Sequence, residues 1–360
     1  MKFIDSQDEC NIVWVNTGFL GDIVINTAAI AAVQKKWPLA RQFLVSTPLG
    51  CSAIGCLAEL HGTAAFHKNS KARLTPFRDV KRALDELLAA KGVNGRTVVL
   101  SPHRSLRSIL LCRYLGFPFI TYRESSFSSL ATEAVARVAL LHEAHRIALL
   151  LEPLGMTRAE IMAARPKLPP GELKGDRPWQ QRLKDHQGKV ILIAASSQWG
   201  TKRWPQESFA ELMGRLRHIP DVLIVLLGSS AERGYINEIE KGTGGLPQLL
   251  NVAGETTLDD LRAIFAKADL VISNDSSPVH YASAFNVPTL AIFGATVPQM
   301  GFAPLADHSV SLGRDGLACR PCSLHGPEVC PLGHFKCMKT LTPDEVWQCC
   351  AKMLELDADM

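Results

Sequence analysis

Two stretches of this chain combine residue types and spacing that could do chemistry. One is Asn16-Thr17-Gly18-Phe19-Leu20-Gly21-Asp22, and the other is Ser273-Asn274-Asp275-Ser276-Ser277-Pro278-Val279-His280. Each follows a short apolar run, Asn11 to Val15 and Ala268 to Ile272, and each opens a helix-spaced segment. Strand, polar loop and helix start in that order make a βα unit, and doubly wound sheets keep their ligands at that carboxyl edge. Ser276 and Ser277 place hydroxyls and backbone N–H groups at a helix start, where the partial positive charge suits a phosphate. His280 falls within about one turn of that start and can face the same anion. Taken alone, Asn274, Asp275 and Asp22 would read as helix caps. Gly18 and Gly21 let the first loop turn tightly, but G-x-x-G-D is not the dinucleotide fingerprint, which argues against a nicotinamide enzyme.

The elements that must hold these loops alternate along the chain. In the first half, strand candidates are Asn11–Val15, Gln42–Val45, Thr97–Leu100 and Pro118–Thr121, with helices over Phe77–Lys91 and Ser105–Leu115 and a long helical segment from Thr132 to Leu151. Arg165-Pro166-Lys167-Leu168-Pro169-Pro170-Gly171 reads as an interdomain linker. The alternation then restarts with a strand over Val190–Ala194, the loop from Ala195 to Pro205 and a helix over Gln206–Arg217. A strand over Val222–Leu227 ends in Gly228-Ser229-Ser230-Ala231-Glu232, which opens a helix; a strand over Leu249–Val252 and a helix over Leu258–Lys267 follow. This pattern predicts an α/β protein with two doubly wound, Rossmann-like domains facing a central cleft. The expected division is residues 1–165, a linker over 166–187, a second domain over 188–340 and a C-terminal helix and tail over 341–360. Thr342 and Glu345 have the spacing of a capping box for that last helix.

Composition bounds the function. The 360 residues are 47% hydrophobic and 21% charged, as in a globular protein with a proper core. No apolar run approaches the ~20 residues of a membrane span, and Met1-Lys2-Phe3-Ile4-Asp5 lacks the apolar region of a secretory signal, so a cytoplasmic protein is expected. A net charge of +4 is too small to imply nucleic acid. That charge is uneven, with eleven Lys/Arg against three Asp/Glu between Lys68 and Arg113. The run is either a solvated face or a patch for an acidic partner such as a phosphorylated glycolipid or an anionic membrane surface.

The ten cysteines fall into groups. Cys10, Cys51, Cys56 and Cys112 lie in apolar surroundings and read as reduced core residues. Cys319, Cys322, Cys330 and Cys337, with His325 and His334 between them, form an irregular ligand set for structural zinc. The alternatives are reduced thiols packed under the last helix, disulfides, which a reducing cytosol disfavours, and an iron–sulfur cluster. The set lies after the Gly294–Pro298 block, beyond the last βα unit expected to build the cleft, so a structural role is expected. The only Asp-x-Asp pair is Asp357-Ala358-Asp359 at the extreme end, so a catalytic metal on a diphosphate is not expected.

Taken in order, Gly21-Asp22, Lys202-x-Trp204-Pro205, Gly228-x-x-x-Glu232, Asn274-Asp275-Ser276-x-x-x-His280 and Gly294-x-Thr296-x-Pro298 resemble a known family. It is the ADP-heptose:lipopolysaccharide heptosyltransferases, glycosyltransferase family 9, and the similarity is greatest to the heptosyltransferase II branch that adds the second core heptose. The resemblance covers nearly the whole chain. The commoner family form has Gly where this chain has Ser277. The family implies a GT-B architecture and an inverting enzyme that moves a heptose from ADP-heptose to a Kdo/heptose–lipid A acceptor of the inner core. It implies a cytoplasmic protein at the inner-membrane surface, taken here as a monomer, with no nucleic-acid partner and no catalytic cofactor. By resemblance Asp22 is the general base and Glu232 binds the nucleotide ribose. Transfer from a nucleotide sugar also needs positive groups for the departing pyrophosphate, which suits Lys202 as a mobile point charge. Ser196, Ser197, Thr201, Asn274, Asp275, Ser276, Ser277 and His280 complete the expected donor site in the second domain. Gly21, His103, Arg104 and Arg107 are expected to meet the acceptor in the first. The other readings are a transferase of the same fold for another nucleotide sugar or acceptor, and a catalytically silent nucleotide-sugar-binding protein, which would need no base at Asp22.

Overall fold

The computed structural model describes residues 4, 5, 7–68 and 75–356. Asp357-Ala358-Asp359, and Lys71 and Arg73 of the basic run, lie outside them. The chain forms two compact units, Met1–Pro169 and Pro170–Met360.

The first unit is a six-stranded parallel sheet of β1 (Cys10–Val15), β2 (Arg41–Ser46), β3 (Leu60–Ala65), β4 (Arg96–Leu100), β5 (Phe119–Tyr122) and β6 (Glu133–Val135), in the order β3-β2-β1-β4-β5-β6. Its helices are α1 (Leu20–Lys36), α2 (Pro48–Ile54), α3 (Thr75–Lys91), α4 (Leu106–Leu115), α5 (Glu143–Leu149) and α6 (Arg158–Met162). Strand β1 is buried along its whole length, as a central parallel strand with both faces covered must be. Its buried polar side chains are matched, because Trp14 Nε1 donates to Gln42 Oε1 and Asn11 Nδ2 to the Val93 carbonyl, each at 3.0 Å.

The second unit repeats the plan with β7 (Lys189–Ala194), β8 (Val222–Leu226), β9 (Leu249–Asn251), β10 (Leu270–Asn274), β11 (Thr289–Phe293) and β12 (Ser309–Gly313), in the order β12-β11-β10-β7-β8-β9. Its helices are α7 (Pro178–Asp185), α8 (Gln206–Leu216), α9 (Arg233–Gly242), α10 (Leu258–Ala266), α11 (Ser277–Ala284), α12 (Lys336–Lys339) and α13 (Pro343–Met353). In each sheet the strand order reverses beside the unit's first strand, between β1 and β4 and between β7 and β10. The loops leaving those strand pairs diverge and leave room for a ligand.

Three expectations are corrected here. The long helix over Thr132–Leu151 is strand β6, a loop and the short helix α5. Edge pairing to β5 takes Glu133–Val135, and the loop is held by Arg146, which donates to the Val138 and Ala139 carbonyls. The interval 166–187 is not all connecting chain, because Pro178–Asp185 is helix α7. It is fixed by Gln180 Nε2 donating to Asp260 Oδ1 at 2.8 Å, beside the Arg177–Asp260 ion pair. Cys56 is exposed instead of buried in the core.

Candidate functional site

In the second unit, the loop after β7 and the loop after β10 meet at the strand reversal. Asn274, fully buried, joins them: its Oδ1 accepts from the Trp204 N–H at 3.1 Å and its Nδ2 donates to the Ala195 carbonyl at 2.7 Å. Trp204 is itself buried and donates from Nε1 to the Leu341 carbonyl, so the Lys-x-Trp-Pro loop is pinned through both the backbone and the side chain of one residue. That pinning holds Lys202, whose Nζ lies 2.7 Å from Asp275 Oδ2; Thr296 Oγ1 donates to the same oxygen at 2.6 Å. Ser276 is the N-cap residue of α11 but makes no side-chain cap bond. Its hydroxyl instead donates to the Asn274 and Ser196 carbonyls. Pro278 has no N–H and the Val279 N–H donates to the Ser276 carbonyl at 3.1 Å, so at the start of α11 it is the Ser277 N–H that is left for a ligand.

His280 is buried, and burial together with the Lys202 charge pushes its imidazole down to about 3. It is neutral at any working pH, so it can offer a hydrogen bond but no charge. Burial alone would raise Glu232. The N–H and hydroxyl of Ser229, the Ser196 hydroxyl and the Arg203 charge outweigh it and hold the carboxyl below its ordinary value. Both Ser229 contacts are 2.8 Å. Ser196 Oγ is buried near that carboxylate without a hydrogen bond of good geometry, and Ser197 is buried with its carbonyl on Arg203 Nε at 2.7 Å.

The cysteine-rich segment does not lie away from this region, contrary to its expected place. Thr201, expected as a donor to the ligand, instead gives its hydroxyl proton and its N–H to the Pro327 carbonyl. Gly200 N–H donates to Glu328 Oε2 at 3.2 Å, and Trp199 stacks on His325 with ring centroids 6.3 Å apart. Gly326 has φ +77°, and a Cβ there would stand 3.0 Å from Thr201 Oγ1 and 3.5 Å from Lys202 Cγ. The segment is thus the support of the Lys202 loop. Cys337 is raised to about 11 by burial and then by the charge of Cys322, with Cys330 and Cys319 also contributing, so the four sulfurs share one neighbourhood. Burial would raise Cys330, but the N–H groups of Phe335, Leu332, Gly333 and His334 aim at its sulfur and bring it below the ordinary thiol value. Among the described residues no group of three or more His, Cys, Asp or Glu side chains is arranged to hold a metal ion.

In the first unit the corresponding loops follow β1 and β4. Phe19 holds the N-cap position of α1, so Asp22 is the third helical residue, not the cap, and its Oδ2 accepts from the Phe19 N–H at 3.1 Å. A Cβ on residue 18 would come within 2.8 Å of that carboxylate oxygen, which is why glycine stands there. Burial, followed by the nearby Glu143 charge, raises the Asp22 carboxyl to about 6; the Phe19 N–H, Arg137 and Lys68 oppose the rise. Glu143 is held by Arg146 Nη1 at 2.8 Å and by Arg137. His103, expected to meet the acceptor, turns into a network: its Nδ1 is 2.7 Å from Ser108 Oγ and 3.1 Å from Thr17 Oγ1. Burial, with Lys68 and Arg104 charges, pushes it down to about 4, so it is a neutral prop for the Thr17–Asp22 loop. Arg104, just before α4, and Arg107, in its first turn, are exposed, and Lys68 Nζ donates to the Thr17 carbonyl.

The structure therefore brings Lys202, Asp275, Ser276 and His280 together, sets Ser196 near Glu232, and places Asp22 near Lys68 and Arg137. Residues missed by the sequence reasoning are Thr296, Arg203 and Glu328 in the second unit and Lys68, Arg137 and Glu143 in the first. Thr296 stood in a recognised motif. Arg203 stood in the Lys202–Pro205 loop and Lys68 opened the basic run, whereas Glu328, Arg137 and Glu143 had no local signal.

A family profile described as "Glycosyltransferase family 9 (heptosyltransferase)" matches residues 91–328. A lipooligosaccharide heptosyltransferase 2 of Campylobacter jejuni is 34% identical over 164 residues, which are 44% of this chain and 49% of that protein. The chain thus spans about half the length of the curated relatives that it matches first. The solved glycosyl transferase family 9 protein of Veillonella parvula superposes with TM-score 0.80 at 18% identity, covering 98% of this chain and 99% of that one. The E. coli ADP-heptose lipopolysaccharide heptosyltransferase II superposes with TM-score 0.71 at 19% identity, covering 96% and 98%. These likenesses place the two parallel sheets in a known fold, and the profile match covers most of the chain. The protein belongs to glycosyltransferase family 9.

Proposed function

We propose that this chain is an inverting glycosyltransferase that moves a heptose from ADP-heptose to the inner core of a lipopolysaccharide acceptor. The observation that carries the reading is the Lys202–Asp275 contact beside the start of α11. Lys202 is already desolvated against a carboxylate, so a diphosphate arriving there replaces one anion by another without a new desolvation of the ammonium. Relatives named for heptose transfer make ADP-heptose the first donor to test.

In this reading the acceptor hydroxyl gives its proton to Asp22 and its oxygen attacks the anomeric carbon from the face opposite the leaving group. The bond from that carbon to the diphosphate oxygen breaks, and its electron pair leaves with ADP. Lys202 and the Ser277 N–H at the start of α11 take up the developing charge. A carboxyl near 6 suits the base, being ionised at neutral pH yet a better proton acceptor than a free aspartate. A protein that only bound nucleotide sugars would have no use for it. Glu232 is assigned to the ribose hydroxyls. Arg104 and Arg107, with the Gly21 backbone, are assigned to acceptor phosphates and carboxylates.

Catalysis in this reading needs no metal. The four cysteines remain candidate ligands for a structural zinc, which elemental analysis of untagged protein would find at about one equivalent; metal-free protein of unchanged stability means packed thiols. Among the described residues no helix is long and apolar enough to cross a membrane. A monomer working at the cytoplasmic membrane surface is proposed. The test is turnover of ADP-heptose against truncated core acceptors, with the anomeric configuration of the product read by NMR. Inverted product on an inner-core acceptor supports the reading and identifies which heptose is added. Transfer only from another nucleotide sugar, or none, overturns it.

A further inference from the structure

Helix α4 leaves an apolar stripe uncovered. Leu106, Leu110 and Tyr114, spaced four residues apart, are all more than 40% exposed, although the opposite face of the helix, with Ile109, Leu111 and Cys112, is buried. A soluble helix buries its apolar stripe, so one turned outward needs a partner. The adjoining turn 128–130 packs on α4 and adds Phe127 and Leu130, also exposed, so the stripe widens into a patch.

The patch is framed by positive charge. Arg107 and Arg113 lie on the exposed face of α4, Arg104 precedes it, and the helix contains no acid. Among the described residues none of these three arginines has a carboxylate partner. A groove of about 590 Å³ is lined by Leu106 and Leu110 of the stripe together with Lys68, Phe77, His103 and Arg107. Burial, followed by the Arg107 charge, pushes the Lys68 ammonium below its ordinary value against the opposing pull of the Asp22 charge. Apolar side chains ringed by arginines complement an interface that is apolar below and anionic at its surface. A protein partner would need the same pairing by chance, whereas an anionic bilayer has it everywhere.

We propose that the exposed face of α4, with the turn 128–130, seats this protein on an anionic lipid bilayer: Leu110, Tyr114 and Leu130 enter the headgroup–acyl boundary and Arg113 pairs with lipid phosphate. This gives a location to the membrane contact of the proposed function, yet it is testable without any transferase substrate.

The experiment is co-sedimentation of the full chain with vesicles of phosphatidylglycerol and phosphatidylethanolamine, and with vesicles of phosphatidylcholine alone. Wild type should bind the anionic vesicles at least ~10-fold more tightly, and added salt should weaken that binding. Leu110→Ser combined with Leu130→Ser should lose ~10-fold or more at low salt with the melting temperature retained. Arg113→Gln should lose about fivefold. Turnover of a deacylated soluble acceptor should not change in any of these variants, so a failed vesicle assay would leave the transferase reading standing. Equal binding to both vesicle types, no binding, or full binding by the folded serine variant would overturn the seat on α4.

Discussion

Lys202 and Asp275 form an ion pair with both side chains largely withdrawn from solvent, 13% and 7% exposed. Breaking a buried pair from one side leaves an uncompensated charge, which costs about 3–5 kcal/mol, more than the pair itself contributes. Asp275→Asn should therefore lower the melting temperature of the ligand-free protein, and saturating ADP should recover part of the loss by giving Lys202 an anion again. Lys202→Ala should weaken ADP binding in calorimetry by ~10-fold or more. Unchanged ADP affinity in that variant would remove Lys202 from the diphosphate site.

The support of the Lys202 loop by the cysteine-rich segment makes a second prediction. Gly326→Val puts a β-branched residue at φ +77° against Thr201, and the loop must shift to accommodate it. The donor KM should rise ~10-fold, with a smaller change in the acceptor KM. Glu328→Ala, which removes only the acceptor for Gly200 N–H, should have a milder effect of about fivefold, the worth of one ordinary hydrogen bond of about 1 kcal/mol at a solvent-exposed site. Equal donor KM in both variants would mean that the segment does not position Lys202.

Arg104 and Arg107 are assigned to the acceptor, and their replacement by Ala should raise the acceptor KM and flatten its dependence on salt while the donor KM stays put. A change confined to the donor KM would overturn the assignment.

The central βα units were legible in the sequence because their strands are apolar runs and their polar residues collect where those runs stop. Asn274 ends such a run, and Asp22 and Lys202 stand in the segments that follow two others; the three strands concerned flank the reversals of the two sheets. The edge strands were not legible. Leu60–Ala65 is mostly half-buried, Glu133–Val135 is three residues long, and Ser309–Gly313 is half-buried throughout, so none carries a clear pattern. Residue roles were harder still. Nothing near Thr201 in sequence shows that its hydroxyl is taken by Pro327, because that partner comes 126 residues later. His103 reads as a ligand group by its place in the basic run after Leu100, and His280 by its motif position. Only their burial among cations shows that both are neutral.

The raised Asp22 carboxyl has a consequence for stability. Its folded pKa lies above the unfolded one, so its stabilising contribution is complete below the ordinary carboxylate value and is lost as pH rises through about 6. At about pH 8 the ionised group works against folding, and Asp22→Asn should be more stable than wild type by roughly 1–2 kcal/mol, reduced from the full shift because the side chain is only half-buried. Near pH 3.5, about the unfolded value, the two should melt alike. Greater stability of wild type at high pH would show that the group is a cap whose charge helps the helix.

The most direct test of Asp22 as the base is kcat of wild type and Asp22→Asn followed from about pH 5 to 8. Wild-type kcat should rise with pH through about 6 as the carboxyl ionises. The Asn variant, still able to accept the Phe19 N–H, should bind ADP normally, fall ~10²-fold or more in kcat and lose that rise. Near-normal turnover by a folded Asn variant, with the rise through that pH intact, would contradict the account.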